Sequence, residues 1–572
     1  MSSHAFSLSK PFPPCPTPKK LPLPFAIDEM EFSIWFKTLT NVDDIAKCQQ
    51  ILQVLQTLNN DYPPVPKVIP GRTRLFFLEK LGSMLASATT MLTTFSSSSD
   101  SSSELNPVDN VMARSEISVW SSLELANAYL LLAQEDWFKA EEYYTVEEKT
   151  IILCNGIQAM GKGLLYVFQT YTKPYVYFWH KYFQFYRVAQ LYLLTDSECN
   201  PDAQRIDNAF KRVLVFALSN TNQFSPQEMR TVYELLGQYA VYTSLLNFVP
   251  KKKFNGIPSI HLKGNEPPSI SDDNPDVHDP NRLYIATVTV ASKILEATYD
   301  KRAHHLPVDR LMLLRLAKAL TMNEQRKDSR EAAQGNHLGT MGFNNIVDFL
   351  LGKEAERHRV NTGIRISELN RPGELRNLEF EISGVEGKEV DFGADSNSEK
   401  STSTTVSQAF QVIEFTDPSE IWQSSHEDSH EVNMRLVDKS TKGYGLLWTD
   451  NQIKPKVGDI IGILHKNVTI GLIRWLAQSK ETGMFMGVEL VGTNATTVKV
   501  FNPGRPDDEV YAIYLTSVGA SKQSASLVFM NKHFQPDEFI FINKNNENVR
   551  YRQTKQLHLT SFINHVEVID SH

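Results

Sequence analysis

The sequence predicts an α+β, multidomain protein: an all-α helical N-terminal region followed by a small antiparallel β-barrel with a further β extension. From Asp28 to about Asn247 apolar residues recur at three- and four-residue steps, the period of helices that bury one face. From Asn433 to Leu490 short runs rich in Val, Ile, Leu and aromatics are separated by Gly, Pro, Asn or Lys-rich turns, the pattern of closely spaced antiparallel strands. The length points the same way. A chain of 572 residues exceeds the roughly 250 to 300 at which one core stops growing, so roughly two to four units are expected.

Residues 1–27 read as a loose, disordered arm, because the prolines of MSSHAFSLSKPFPPCPTPKKLPLPF deny backbone donors to any ladder. An all-α domain follows over 28–322. Phe32–Leu58 sets Ile34, Trp35, Leu39, Val42, Ile45, Ala46, Ile51, Leu52, Val54 and Leu55 mostly at helical steps, with Asn41-Val42-Asp43-Asp44 as a capping start. Arg72–Thr94 repeats the pattern. The serine run Ser96–Ser103 interrupts it as a flexible loop, and Ser115–Gln134, Val146–Gln169, Val176–Leu194, Ala203–Leu218 and Pro226–Asn247 continue it. The aromatics of Tyr175–Tyr192 leave little of that helix for water, which makes it central and His180 a structural residue. A connection rich in Pro, Asn, Gly and Asp runs over Pro250–Asn281, with one short strand at Ile257–Leu262, before helices at Leu283–Thr298 and Val308–Leu320.

The β region, 323–500, begins with strand-like alternation from about Leu338 and is interrupted by a flexible acidic, serine-rich insertion around 387–405. Its clearest strands are Asn433–Asp438, Tyr444–Trp448, Asp459–Leu464, Thr469–Leu476 and Met484–Leu490. The extension 501–572 adds Glu509–Leu515, Ser526–Met530, Glu538–Ile542 and Gln556–His565.

Composition narrows the function. Hydrophobic content of 41% and charged content of 22% are ordinary for globular proteins, and a net charge of -8 gives no general pull toward nucleic acid or anionic lipid. An anionic ligand must therefore meet a local Arg or Lys cluster. Cys15, Cys48, Cys154 and Cys199 lie far apart with no C-x-x-C pair, which predicts a reducing compartment without a zinc site or disulfide framework. No run approaches the roughly 18 uncharged apolar residues of a membrane span, so a soluble cytoplasmic protein without membrane insertion is expected. There is no G-x-x-x-x-G-K-[ST] loop, Gly161-Lys162-Gly163 falls inside a helical pattern, and Lys251-Lys252-Lys253 reads as a solvated loop. No nucleophile, base and orienting group assemble at a catalytic spacing, so no enzyme is expected.

One stretch, His426–Gly443 (HEDSHEVNMRLVDKSTKG), holds two overlapping motifs. HEDSH has the letters of the zinc-protease pattern H-E-x-x-H but not its setting: Ser and Asp are poor helix formers, no apolar face would bury the segment, and it runs directly into a strand. No metal is expected there. DKSTKG fits D-x-S-x-x-G between two strands. Asp438 and Ser440 leave the strand on one face, and Gly443 can take the positive φ of a tight turn. A carboxylate accepting from a guanine N–H edge beside a hydroxyl discriminates guanine from adenine, because the wrong base leaves a buried acceptor unpaired. On the residues alone an ordinary polar hairpin turn is the favoured reading.

The chain from Asn433 to Val500 resembles the PilZ domain, the bacterial receptor module for cyclic di-GMP. The resemblance is carried by DxSxxG (Asp438, Ser440, Gly443), the strand opening Val457-Gly458-Asp459, the strand ending Ile473-Arg474-Trp475, and Gly487-Val488-Glu489-Leu490. The second PilZ signature, RxxxR, is matched by Arg326 and Arg330 in QRKDSR, just before the first strand-like residues. Roughly a hundred residues separate it from DxSxxG, an insertion tolerable because loop-closure entropy grows only logarithmically. With helices around Phe178-Trp179-His180-Lys181-Tyr182 and Phe210–Leu236, the chain is similar to large gammaproteobacterial proteins in which a helical region precedes a divergent PilZ barrel. The resemblance implies a non-enzymatic cyclic di-GMP effector in pilus, motility or biofilm control, with a protein partner on the helices. It implies that Arg326 and Arg330 bind phosphate and stack on guanine, Asp438 and Ser440 read the guanine edge, and Gly443 shapes the turn. The residues leave a second class open: a ligand-free scaffold or chaperone-like interaction protein.

Overall fold

The computed structural model describes residues 22–60, 71–94, 107–134, 136–139, 143–199, 204–247, 257–270, 279–299, 310–321, 330–361, 431–450, 453–464, 467–479, 483–502, 505–516, 525–530, 539–544, 547–560 and 562–570. The Ser96–Ser103 loop, Lys251-Lys252-Lys253, Arg326, the insertion at 387–405, HEDSH and positions 1–21 of the expected arm lie outside the described residues. The chain divides into two compact units. The first holds Met1–Gln334, Val437–Val457 and Ile473–Val488; the second holds Gly335–Leu436, Gly458–Leu472 and Glu489–His572.

The first unit is built on α1 (Glu29–Thr38), α2 (Asp44–Asn60), α3 (Gly71–Thr94), α4 (Pro107–Gln134), α5 (Asp136–Lys139), α6 (Val146–Gln169), α7 (Phe178–Leu191), α8 (Ile206–Leu218), α9 (Pro226–Tyr239), α10 (Val288–Tyr299) and α11 (Arg310–Thr321). Side chains start these helices by satisfying their first N–H groups. Asp28 accepts from the N–H of Met30 at 2.7 Å, Asp43 accepts from Ile45 and Ala46, and Thr145–Glu148 and Ser225–Glu228 form capping boxes. Phe25, within the expected arm, is buried and packs against Phe32, Trp35 and Phe77.

The aromatic helix α7 is central, as its composition predicts. Phe210 on α8 lies flat against Tyr186 (ring centroids 3.9 Å apart) and Tyr182 (5.0 Å), and the Tyr182 hydroxyl donates to the Phe210 carbonyl at 2.6 Å. Truncating that ring leaves a void that a close-packed core cannot fill. Phe210→Ala is expected to cost about 3 to 4 kcal/mol, measured as the loss of stability in urea followed by helical circular dichroism. Beside the stack, buried Lys181 donates to Asn127 at 3.0 Å; burial lowers its pKa to about 8, opposed by Glu124, whose own pKa burial raises.

Three sequence expectations need correction here. Small sheets stand inside the region read as all-α: β1 (Glu198–Cys199) pairs with β2 (Gln204–Arg205), and β3 (Ser244–Leu246), β4 (Ser259–His261) and β5 (Arg282–Ala286) join in the order β3-β5-β4; of these β4 lies within the short strand expected at Ile257–Leu262, while β2, β3 and β5 fall on stretches expected as helix. Strands of two to five residues are too short for period two to stand out against helical neighbours. Cys154 is disulfide-bonded while Cys48 is a free, buried thiol, so distance along the chain did not report on pairing. Finally, the expectation that no run approaches a membrane span meets α6, which is long and apolar enough to cross one but lies mostly buried inside the protein, as a core helix does.

The remaining strands are β6 (Glu331–Met341), β7 (Val432–Lys439), β8 (Gly443–Trp448), β9 (Ile460–Leu464), β10 (Val468–Ser479), β11 (Gly483–Asn502), β12 (Arg505–Thr516), β13 (Ser526–Met530), β14 (Phe539–Lys544), β15 (Glu547–Leu559) and β16 (Ile563–Asp570). They hydrogen-bond in the order β10-β9-β6-β7-β8-β11-β12-β13-β16-β15-β14, and further β10–β11 and β11–β14 pairings close the sheet on itself twice. Closure removes exposed sheet edges. Gln556–His565, expected as one strand, is the hairpin joining β15 to β16.

In the second unit the alternation expected from Leu338 ends at Met341. Gly342, at φ +88, turns the chain into α12 (Phe343–Asn361). That helix lays Ile346, Val347, Phe349 and Leu350 on Ile460, Ile470, Leu472, Ile513, Leu515, Val528 and Ile563. A separate core of Val498, Val500, Ala512, Leu527, Phe529, Ile540, Ile542, Val566 and Val568 belongs to the ring that β14 closes on β11.

Candidate functional site

The DxSxxG turn lies in the first unit, on the hairpin between β7 and β8. The Ser440 N–H donates to the Gly443 carbonyl at 2.8 Å and its hydroxyl to the same oxygen at 3.2 Å, so Ser440 pins the turn from both groups. Gly443 is buried as the first residue of β8, and among the described residues the positive-φ glycines are Gly342, Gly458 and Gly483. The expectation that Gly443 supplies a left-handed turn residue is corrected by this geometry: Thr441 and Lys442 make the turn, and Gly443 is already extended strand.

Arg330 immediately precedes β6 and belongs to the same unit. Its Nη1 donates to Asp438 Oδ1 at 2.7 Å, bridging 108 residues of chain. The two side chains are 25% and 28% exposed, so the pair is neither a loose surface contact nor shut away from water. Desolvation does not cancel the attraction in such a place, and solvent can still reach both partners. The next residue on each segment pairs too: Lys439 Nζ lies 3.9 Å from Glu331, both largely exposed. Glu331 and Lys439 carry no motif and were missed from sequence.

The structure thus brings Arg330, Asp438, Ser440 and Gly443 together, while Arg326 lies outside the described residues. A guanidinium offers five N–H donors in a planar fork and a carboxylate two acceptor oxygens, and the bond between them engages one donor and one oxygen. One face therefore presents a cationic plane, suited to phosphate and to stacking on a base, beside an acceptor suited to an N–H edge.

Neighbouring residues hold this patch in shape. The Trp448 indole N–H donates to the Ile453 carbonyl at 2.8 Å, and Gly483, at φ +120, packs where any side chain would collide with the Trp448 carbonyl. The Gln478 N–H at the end of β10 donates to the carbonyl of Tyr171, the left-handed residue after α6, at 2.9 Å. That bond ties the β-hairpin following the site to the helices of the same unit. Among the described residues no group of three His, Cys, Asp or Glu side chains is placed to hold a metal ion.

Comparison with protein families gives two matches. Residues 30–251 match the model described as the N-terminal domain of the cyclic-di-GMP receptor FimW, and residues 259–497 match that described as its middle PilZ domain. The second match spans Arg330 and the whole DxSxxG turn. No curated protein and no solved structure matches the chain.

Proposed function

Because the chain belongs to the family of the cyclic-di-GMP receptor FimW, we propose that it is a cytoplasmic cyclic di-GMP effector of PilZ type, acting in pilus, motility or biofilm control. It works by binding and transmitting, with no catalytic step. Arg330, with Arg326, takes the phosphates and stacks on guanine; Asp438 and Ser440 read the guanine edge from the turn that Gly443 completes. The observation that carries this reading is the 2.7 Å bond between Arg330 and Asp438. A guanidinium and a carboxylate that meet across so much chain put the two kinds of group this reading requires within reach of one ligand.

The output surface is the helical region. Ligand contact at the β7–β8 turn changes the load on β11, which pairs with both β8 and β10, and the Gln478–Tyr171 bond leads from β10 to the residue just past α6. A protein partner on the helices then reads the change.

A few charge-assisted hydrogen bonds of about 1.5 to 3 kcal/mol each, with base stacking, reach roughly micromolar affinity. Isothermal calorimetry with cyclic di-GMP on the full chain is the test, with cyclic di-AMP as the control for guanine reading. Saturable binding of cyclic di-GMP alone is expected. No binding of either nucleotide ends the receptor reading and leaves a scaffold or chaperone-like interaction protein.

A further inference from the structure

We propose that Gly445 is a positioning residue of this site: the space left by its missing Cβ seats the Asp438 carboxylate and turns it toward Arg330. In its ligand part this deepens the receptor reading above and rests on it.

The Ser440–Gly443 bond sets the hairpin register so that Asp438 stands opposite Gly445. A Cβ built on Gly445 would lie 2.5 Å from Asp438 Oδ1, 2.8 Å from its Cγ and 3.0 Å from Oδ2. Real carbon–oxygen contacts are not that short, so any side chain at 445 must displace the carboxylate. Oδ1 is the same oxygen that accepts from Arg330. The carboxylate is therefore held between the β8 backbone on one side and the guanidinium on the other.

The backbone does not ask for glycine here. Gly445 is outside the positive-φ set, and it is buried in a strand whose next residues, Leu446, Leu447 and Trp448, are fully buried apolar side chains. Glycine inside a strand weakens it, through lost backbone entropy and an absent packing group, and commonly marks a close approach by another group. The group that approaches is Asp438. The side-chain size at 445 then decides whether the acceptor lies flat on the strand, within reach of Arg330 and the ligand, or is lifted away.

Two measurements on the full chain decide this. In the first, cyclic di-GMP affinity is measured for wild type, Gly445→Ala, Asp438→Ala and the double variant. Gly445→Ala is expected to weaken binding about tenfold or more, as for a lost charged hydrogen bond, and to add nothing to Asp438→Ala. Losses that simply add overturn the proposal, because a residue acting through Asp438 has no effect once that carboxylate is gone.

The second measurement needs no ligand. The coupling in thermal stability between Arg330→Ala and Asp438→Ala is compared in the wild-type and Gly445→Ala backgrounds; it is expected in the first and lost in the second. Coupling retained in both overturns the seat even if the nucleotide binds, and absence of nucleotide binding sinks the receptor reading while leaving this comparison decisive. Should Gly445→Ala fail to fold, the double variant with Asp438→Ala decides: its recovery supports the proposal, and its failure assigns Gly445 to the strand alone.

Discussion

Arg330→Ala weakens cyclic di-GMP binding by about tenfold to a hundredfold, the expected effect of removing charge-assisted hydrogen bonds worth about 1.5 to 3 kcal/mol. Two losses act together. In the proposed site the ligand's phosphates lose a planar donor, and the Asp438 carboxylate, which accepts from Arg330 Nη1, is left uncompensated beside an anionic ligand. Arg330→Lys separates the contributions: an ammonium keeps the charge but has neither the fork nor the stacking plane, so an intermediate affinity is expected. Wild-type binding should also weaken with added salt, and the slope should fall in Arg330→Ala, because the long-range part of the attraction is screened within roughly 10 Å at 0.1 M salt. Calorimetry at two salt concentrations reads both. Equal affinity in wild type and Arg330→Ala would remove this arginine from the site.

A second large effect is expected in the β extension, on acidification. His565, on β16, is 3% exposed, and its ring stacks on that of His558 at 5.3 Å; among the described residues neither of its ring nitrogens has a hydrogen-bond partner. Burial, with the like-charged neighbour His558 adding to it, lowers its pKa from 6.5 to about 3. Above pH 6.5 the ring is neutral in folded and unfolded chains alike, and pH has no leverage through it. Below 6.5 the unfolded chain takes up a proton that the folded chain refuses, so stability falls as pH drops, until about pH 3 where both forms bind it. Each pH unit between those two values is worth about 1.4 kcal/mol, which makes the loss across the window of the order of 5 kcal/mol. Carboxylates elsewhere titrate in the same range, so the informative quantity is the difference between wild type and His565→Leu. That difference should move steadily in favour of the variant as pH falls from about 6.5 to about 4 in urea unfolding. A constant difference across the window would show that His565 is protonated in the folded chain.

Several features were legible in the sequence because each is written in residues close together along the chain. Helical spacing located α2, α3, α4, α6, α8 and α9, the aromatic run of α7 announced a central helix, and the strands around the DxSxxG turn appeared within a residue or two of their ends. Asp438 and Ser440 could be placed on one face from period two alone. Of the small sheet β3-β5-β4 only β4 was legible, within the strand expected at Ile257–Leu262; β3, β5 and the state of Cys154 were not, because pairing over tens of residues leaves no local mark.

By itself, then, the sequence determined the order of a helical region before strands and the kinship with a nucleotide-receptor family. Burying one face of a helix or strand demands a repeat that is visible in the residues forming it. Tertiary structure alone decided that β11 pairs on both sides to close two rings, that Arg330 reaches Asp438 across 108 residues, and that Gly445 lies beneath that carboxylate. Such meetings depend on which distant segments pack together, and since chain length adds only logarithmically to the cost of closing a loop, spacing along the sequence barely constrains them.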